Sequence, residues 1–543
     1  MVPRLLGLAS EQKSPRLLVS LRSLLREQAK RAKSPRVSGV REFPYETPAG
    51  SALLLVEELG LLRPFCEWFE AQRDRSYAFL LDSARLMPGL ARYSFLGADP
   101  WLVFTARTAA AGAALAEIEL RYFDPERPGT AGRLERRCGD PFVELERQLA
   151  QLHMPRELRA ELALPLLSGA VGFFSYDAAA LIERLPNLAP RALDVPELCF
   201  LFVDQLLAHD HDTGCTTLLT TGRGSRASEA QQRARRSHAA YRSQLPWRRR
   251  IEAPQPLEPA AAQRVHSAGS RDAERDYRAL VGRAREHIAA GDVFEVCTTY
   301  RVERAFAGDP WQLYCSLRAI NPAPFACFLQ LPELVLASSS PERFLRASWD
   351  GLAETRPIKG TRPRGQTPAE DARLRAELAG SEKDRAEHLM IVDLSRNDLG
   401  RVCEIGSIRV PELMIVEDHP SVFQMVSTVR GRLAEGRSAL QLLRACFPPG
   451  SMTGAPKVEA MKIIERLEAE KRGLYAGSVG YFDAGGGMDF NVVIRSFVLQ
   501  GGRCSFNVGG AIVADSNPGD EYAETLAKGR ALIAALEWTE RRT

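Results

Sequence analysis

From residue 42 onward, apolar and polar positions alternate over short runs at "YAFLLDS", "RYSFLGADP", "SGAVGFFSYD" and "LCFLFVDQLLAHD". A two-residue period of this kind predicts strands, and a helical period interrupts it at "FVELERQLAQL". Farther on, the helix "DYRALVGRAREHIAAGD" leads into strands at "VFEVCTTYRVERAF", "FACFLQL", "LVLASSS", "ERFLRAS" and "GLAETRPIKGT". A long amphipathic helix is predicted from Pro368 to about Arg396, with proline ahead of acids at its start. The last third sets the helix "APKVEAMKIIERLEAE" among strands at "YAGSVGYFDA", "DFNVVIRSFVLQ" and "RCSFNVGGAIV". It closes on the helix "DEYAETLAKGRALIAALEW". Hairpins mixed with helices, without a regular βαβ repeat, predict an α+β fold.

The pattern divides the chain into a basic extension at 1–41, an N-terminal subdomain at 42–221, an Arg-rich helix and linker at 222–264, and a catalytic domain at 265–540. Charge sharpens the first boundary. Residues 1–41 hold ten Lys/Arg against two acids, so the net +4 of the whole chain becomes −4 for the remainder. That balance argues against a nucleic-acid enzyme with a basic face, and the extension reads as disordered or weakly helical. Residues 222–254 carry nine arginines and few large apolar side chains besides Trp247, which suits a solvated helix and linker. Nowhere do eighteen apolar residues run uninterrupted by charge, so no membrane span is expected. The ten cysteines form no CxxC pair, consistent with reduced thiols and a cytoplasmic location.

Chemistry enters at "TRPIKGTRPRG", where Lys359 is the one lysine among arginines. A lysine amine becomes a nucleophile when burial lowers its pKa, and an exposed lysine is an ordinary charge; the stretch alone allows both. In "SEKDRAEHLMIVD", Asp384 and Glu387 share a helical face beside His388, and Glu521 and Glu524 repeat the device in "GDEYAETLAKG". Such pairs either solvate a helix or, meeting across two helices, hold Mg2+. Gly450 and Gly454 precede a helix, and Gly509 and Gly510 close a strand; each pair forms either a tight turn or a close approach to an anion. There is no GxGxxG, no GxxxxGK[ST] and no GxSxG, so nucleotide binding and an internal glutaminase find no signature.

Five segments, "PIKGTRPRG", "EHLMIVDLSRNDLGRV", "PGSMTGAPKVEAM", "GSVGYF" and "GGAIVADSNPGDEYAET", resemble in order the chorismate-utilising enzymes. Upstream, "LLDSA", "RYSFLGADP" and "GAVGFFSYD" resemble the N-terminal half of the component I synthases, so the likeness covers roughly residues 42–535. It implies an α/β sandwich of two antiparallel sheets packed face to face, with helices outside. PIKGT resembles the aminodeoxychorismate synthase branch, where anthranilate synthases carry alanine at Lys359. The branch implies that Lys359 attacks C2 of chorismate while Glu342 protonates the departing C4 hydroxyl, and that ammonia then displaces the lysine. The resemblance further implies Mg2+ held by Glu387 and Glu524 with help from Asp384 and Glu521. It assigns substrate carboxylates to Tyr481 and Arg495, and backbone or hydroxyl contacts to Gly360, Thr361, Gly509 and Gly510.

Departures narrow the choice. Set against the families it resembles, the chain has Gln424 where anthranilate synthases are expected to carry a histidine associated with pyruvate elimination, Glu295 where isochorismate and salicylate synthases carry a water-activating lysine, and Ala511 where a third glycine is frequent. Asp384 stands where a longer glutamate is frequent. Leu81, Asp82 and Ser83 resemble a tryptophan pocket. The expected reaction is amination of chorismate at C4 toward 4-aminobenzoate and folate, with ammonia from a separate glutamine amidotransferase subunit. Anthranilate synthase component I is the alternative, and a catalytically dead tryptophan-binding relative is the non-enzyme reading.

Overall fold

The computed structural model describes residues 39–60, 65–109, 115–123, 131–162, 164–245, 271–419 and 422–541. Most of the basic extension and the linker around Trp247 lie outside the described residues. Two twelve-stranded sheets, antiparallel throughout, form the frame. Strands Gly169–Phe174 and Leu198–Val203 are buried on both faces, which is why they read as unbroken apolar runs. The inner faces share one core in which the Phe95 ring, from the first sheet, meets Tyr481, from the second, edge-on at 5.7 Å. Helices Phe65–Glu70, Pro310–Ile320 and Pro518–Glu540 cover the outer side of the first sheet. There Trp68, Trp311 and Leu536 are buried, and Phe69 lies 4.6 Å from Trp311.

Both sheets run through both of the expected subdomains. Strand Phe79–Asp82 pairs with Phe325–Leu331 in the first sheet, and Gly169–Phe174 pairs with Ser478–Asp483 in the second. The Arg-rich stretch opens on the end of strand Cys215–Gly224 and continues as helix Ala227–Gln244.

Three expected elements are in fact divided. "LCFLFVDQLLAHD" is two strands in different sheets, Leu198–Val203 and Gln205–Asp210, separated at Asp204, whose carboxylate pairs with Arg223. "DFNVVIRSFVLQ" likewise divides into Met488–Asn491 and Ser496–Gln500 in different sheets. The long helix breaks into Pro368–Gly380 and Glu382–Gly400 because the Ser381 hydroxyl accepts the Asp384 N–H at 3.3 Å and caps the second helix. No helix among the described residues is long and apolar enough to cross a membrane.

Candidate active site

Two adjacent crossings between the sheets build the centre of the site. Strand Leu334–Ser340 belongs to the first sheet and Arg343–Ala347 to the second, and the turn between them carries Glu342. The Met488–Asn491 to Ser496–Gln500 crossing ends on Arg495, whose φ of 54° is a left-handed conformation that a side chain adopts at a cost. Backbone bonds join the crossings: Val492 N–H donates to the Glu342 carbonyl at 3.0 Å, and Ser339 N–H to that of Arg495 at 3.1 Å.

Lys359 enters from strand Ile358–Pro363 at the edge of the second sheet. Pairing with Val422–Arg432 slips between Ile358 and Thr361, and Gly360 inside the slip has φ 83°. A Cβ there would stand 3.0 Å from Leu378 and 3.2 Å from Asp384, so glycine is what lets the bulge form against the two helices. Lys359 Nζ donates to Glu295 Oε1 at 2.7 Å, and Glu295 opens strand Glu295–Ala305 of the first sheet, so the pair bridges the sheets. Lys359 retains 11% exposure and Glu295 none. Burial alone would lower the Lys359 pKa, but the Glu295 carboxylate outweighs it and, with Cys297 and Glu387, holds the ammonium above the ordinary lysine value. The resting lysine is therefore charged, whereas nucleophilic attack needs a free amine.

Glu342 is the complementary group. Burial lifts its carboxyl to about 7, against the opposing pull of Ser451, Lys359, the Ile358 N–H and Arg495. Near neutrality it holds a proton that it can give away. Its folded pKa lies above the ordinary 4.5, so the protonated form contributes stability that is complete below 4.5 and is lost as pH rises through 7. Glu342→Gln is accordingly expected to gain on the wild type by up to roughly 3 kcal/mol between pH 4.5 and 8, measured by urea unfolding at several pH values.

Tyr481 is not where the resemblance put it. It points into a separate cavity of about 430 Å3 that Leu81, Asp82, Ser83 and Arg343 also line. The tyrosine beside Arg495 is the buried Tyr475, just before strand Ser478–Asp483; burial pushes its phenol up, and the nearby Arg495 charge opposes this. Tyr475 and Ser451 join the site without a motif that singles them out in the sequence. In the cavity, the Asp82 carboxylate accepts the Tyr314 hydroxyl at 2.9 Å and Arg318 Nε at 2.6 Å, while the Ser83 hydroxyl donates to the Tyr93 carbonyl at 2.7 Å.

The four expected metal carboxylates are not gathered together, and no cluster of three or more His, Cys, Asp or Glu side chains suited to a metal occurs among the described residues. Asp384 accepts Arg362 at 2.8 Å, and Glu521 accepts the Ser516 hydroxyl at 2.6 Å. Glu387 remains open: burial lifts it to about 7, and its Lys383 contact is a long 3.9 Å. Glu524 pairs with Lys528 at 2.6 Å and is held below the ordinary glutamate value, because its lysine neighbours outweigh burial. Two oxygen donors of this kind fit Mg2+, which takes one or two carboxylates and keeps waters for its other positions. His388 is a neutral tether: its Nε2 meets the Ser427 hydroxyl at 2.6 Å, and burial with the Lys359 charge lowers it to about 4.

Gly509 and Gly510 lie opposite Thr299 and Thr298 in the ladder, against the last helix. A Cβ on Gly509 would stand 2.1 Å from the Thr298 carbonyl. Gly509→Ala is expected to cost about 2 kcal/mol in urea unfolding by forcing the strands apart. Thr361 is exposed on the edge strand, and opposite it Gln424 keeps a buried Oε1 without a partner. Ala511 pairs with Cys297.

The sheet crossings thus bring a lysine–carboxylate pair, an acid held near neutrality and a half-buried arginine with a tyrosine near it into one site. The chain belongs to the chorismate-binding enzyme family, whose model matches residues 117–534. It is 41% identical to an aminodeoxychorismate synthase of Streptomyces pristinaespiralis, over 91% of this chain and 66% of that protein. It is also 39% identical to anthranilate synthase component 1 of Streptomyces coelicolor, over 85% of this chain and 84% of that one. The chain thus spans about two thirds of the matched S. pristinaespiralis synthase, and 61% of a Streptomyces griseus counterpart. Among solved structures, anthranilate synthase component I of Streptococcus pneumoniae superposes with TM-score 0.66 at 27% identity, covering 83% of this chain and 93% of that one. The Escherichia coli isochorismate synthase MenF shares the fold, with TM-score 0.64 at 17% identity over 96% and 99% of the two chains.

Proposed function

We propose that the chain is the synthase component of aminodeoxychorismate formation, converting chorismate and ammonia to 4-amino-4-deoxychorismate for 4-aminobenzoate and folate synthesis in the cytoplasm. The observation that carries this reading is Lys359, only 11% exposed and paired with the fully buried Glu295 where a merely solvating lysine would stand in water. In the proposed reaction the Lys359 amine forms a bond to C2 of chorismate. Both ring double bonds shift, from C1=C2 to C1=C6 and from C5=C6 to C4=C5, and the C4–O bond breaks with a proton from Glu342, releasing water. Ammonia then bonds to C4, both double bonds return to C5=C6 and C1=C2 as the C2–N bond breaks, and Glu342 recovers a proton from the new ammonium. Arg495, with Tyr475 beside it, holds a substrate carboxylate by charge-assisted hydrogen bonds.

Glu387 and Glu524 would hold Mg2+, which supplies positive charge to the substrate carboxylate when bound. An amidotransferase partner supplies the ammonia. Gln424, which cannot exchange a proton as a histidine would, supports amination without pyruvate elimination. The test is product analysis of the purified chain with chorismate, ammonium and Mg2+. Aminodeoxychorismate, converted to 4-aminobenzoate by added lyase, supports the proposal; fluorescent anthranilate with pyruvate replaces it by the anthranilate synthase reading.

A further inference from the structure

An ammonium has no lone pair, so a lysine that resides in the site as an ammonium must pass a proton to some acceptor before its nitrogen can form a bond. The acceptor that Lys359 Nζ meets is Glu295 Oε1, at 2.7 Å. Glu295 is more than an ordinary ion-pair partner. Its side chain has no exposure, and its second oxygen, Oε2, is buried without a hydrogen-bond partner. A purely structural carboxylate at such depth is expected to have both oxygens satisfied, because an unmet acceptor is costly. A carboxylate that must alternate between charged and protonated forms keeps an oxygen free.

We propose that Glu295 is the base of the covalent step, taking a proton from Lys359 as its nitrogen bonds to the substrate and returning it when the lysine is expelled. The inference rests on the reading of Lys359 as nucleophile and adds the residue that makes that nucleophile available. The proton balance closes within the pair. Nζ loses one proton to a Glu295 oxygen, and its lone pair forms the C2–N bond while the C4–O bond breaks with the proton from Glu342. When ammonia bonds to C4 and the C2–N bond breaks, the electron pair returns to Nζ and the proton on Glu295 follows it. Glu342 and Glu295 therefore serve opposite ends of the substrate and do not exchange duties.

The charged and titratable neighbours hold the proton on Lys359 in the resting site, so an acceptor in direct contact is needed to remove it. Glu387, from helix Glu382–Gly400, faces the pair, and Cys297 lies two residues along the strand from Glu295. Glu342 from the sheet crossing and Glu524 from the last helix also feel the Lys359 charge, while His388 is neutral. Exchange between Nζ and Glu295 needs no solvent proton, so the lysine adds no pH dependence of its own to the covalent step, which still follows the protonation of Glu342.

The test is a single-turnover reaction with chorismate and Mg2+ without ammonia, quenched at intervals and read by mass spectrometry for an adduct on Lys359. Its rate in the wild type is expected to vary with pH only as Glu342 loses its proton near 7, with no separate rise for deprotonation of the lysine. Glu295→Gln, which keeps the size and a hydrogen bond but cannot take the proton, is expected to slow the adduct roughly 10²–10⁴-fold at neutral pH and to make its rate, taken as a ratio to that of the wild type, climb with pH. Glu295→Asp sets the carboxylate back by one methylene and is expected to be slowed about tenfold; it decides the matter if the glutamine variant does not fold. An adduct rate in either folded variant within threefold of the wild type, with the same pH profile, overturns the base assignment and leaves the nucleophile standing. A wild type that makes product without any Lys359 adduct overturns the nucleophile and the base together.

Discussion

Lys359→Ala is expected to lower the rate of product formation on the order of 10³-fold or more at limiting ammonia, because one difficult displacement is no longer divided into two easier ones. The residual rate should rise in proportion to added ammonia, which then attacks C4 directly, and no chorismate adduct should appear on the protein. The sequence alone suggests that folding would hardly notice the substitution, but the structure says otherwise. Lys359 is the partner of a carboxylate with no exposure, and removing it strands Glu295 unless that group takes up a proton. Breaking a buried pair from one side costs about 3 kcal/mol, so the single variant should unfold at lower urea, increasingly so as pH rises. Lys359→Ala combined with Glu295→Gln should recover the lost stability and none of the activity. That contrast separates chemistry from folding; a single variant within tenfold of wild-type activity would remove Lys359 from the mechanism.

The strands and helices were legible because alternation and helical period are local properties, and "GAVGFF" or "APKVEAM" carries its own signal. The crossings between sheets were not. The apolar stretch Val492–Ile494 continues the strand pattern without interruption, and only pairing partners far along the chain show that the residues beyond it belong to the other sheet. The division at Ser381 had a signal, glycine followed by serine and acids, but the apolar period continuing on either side masked it. Lys359, Glu342 and Arg495, which the motifs single out, lie near one another in the structure. Tyr475 and Tyr481 are six residues apart, and nothing local tells which one faces the arginine; Tyr481 lies inside a strand whose side chain turns to the other cavity, while Tyr475 precedes it. The Glu295 pair spans sixty-four positions and comes from different sheets, so no periodicity could have announced it. What the sequence recorded at Glu295 was the absence of a lysine; what the structure adds is the presence of a base beside one.

Glu342→Gln is expected to have the second largest effect, a fall in kcat of roughly 10²–10⁴-fold, because a C4 hydroxyl leaves poorly without a proton. The pH dependence carries the sharper information. Catalysis needs the acid form of a carboxyl held at about 7, so wild-type kcat should decline as pH rises through that value. In the glutamine variant this alkaline limb should vanish and leave a low rate with little slope. The stability change runs the other way, since glutamine is neutral in a site where burial opposes the carboxylate, and the variant should be slow yet sturdier than the wild type above pH 7. A variant both slower and less stable would indicate that Glu342 holds the crossing together through its contacts with Ser451 and Arg495. An unchanged alkaline limb would move the acid role to another group, and Glu387, also lifted to about 7 by burial, would be the next to replace. Opposed changes in rate and stability are what a group kept protonated for catalysis must show: the fold bears the strain of burying a carboxyl, and the reaction draws on the proton that burial retains.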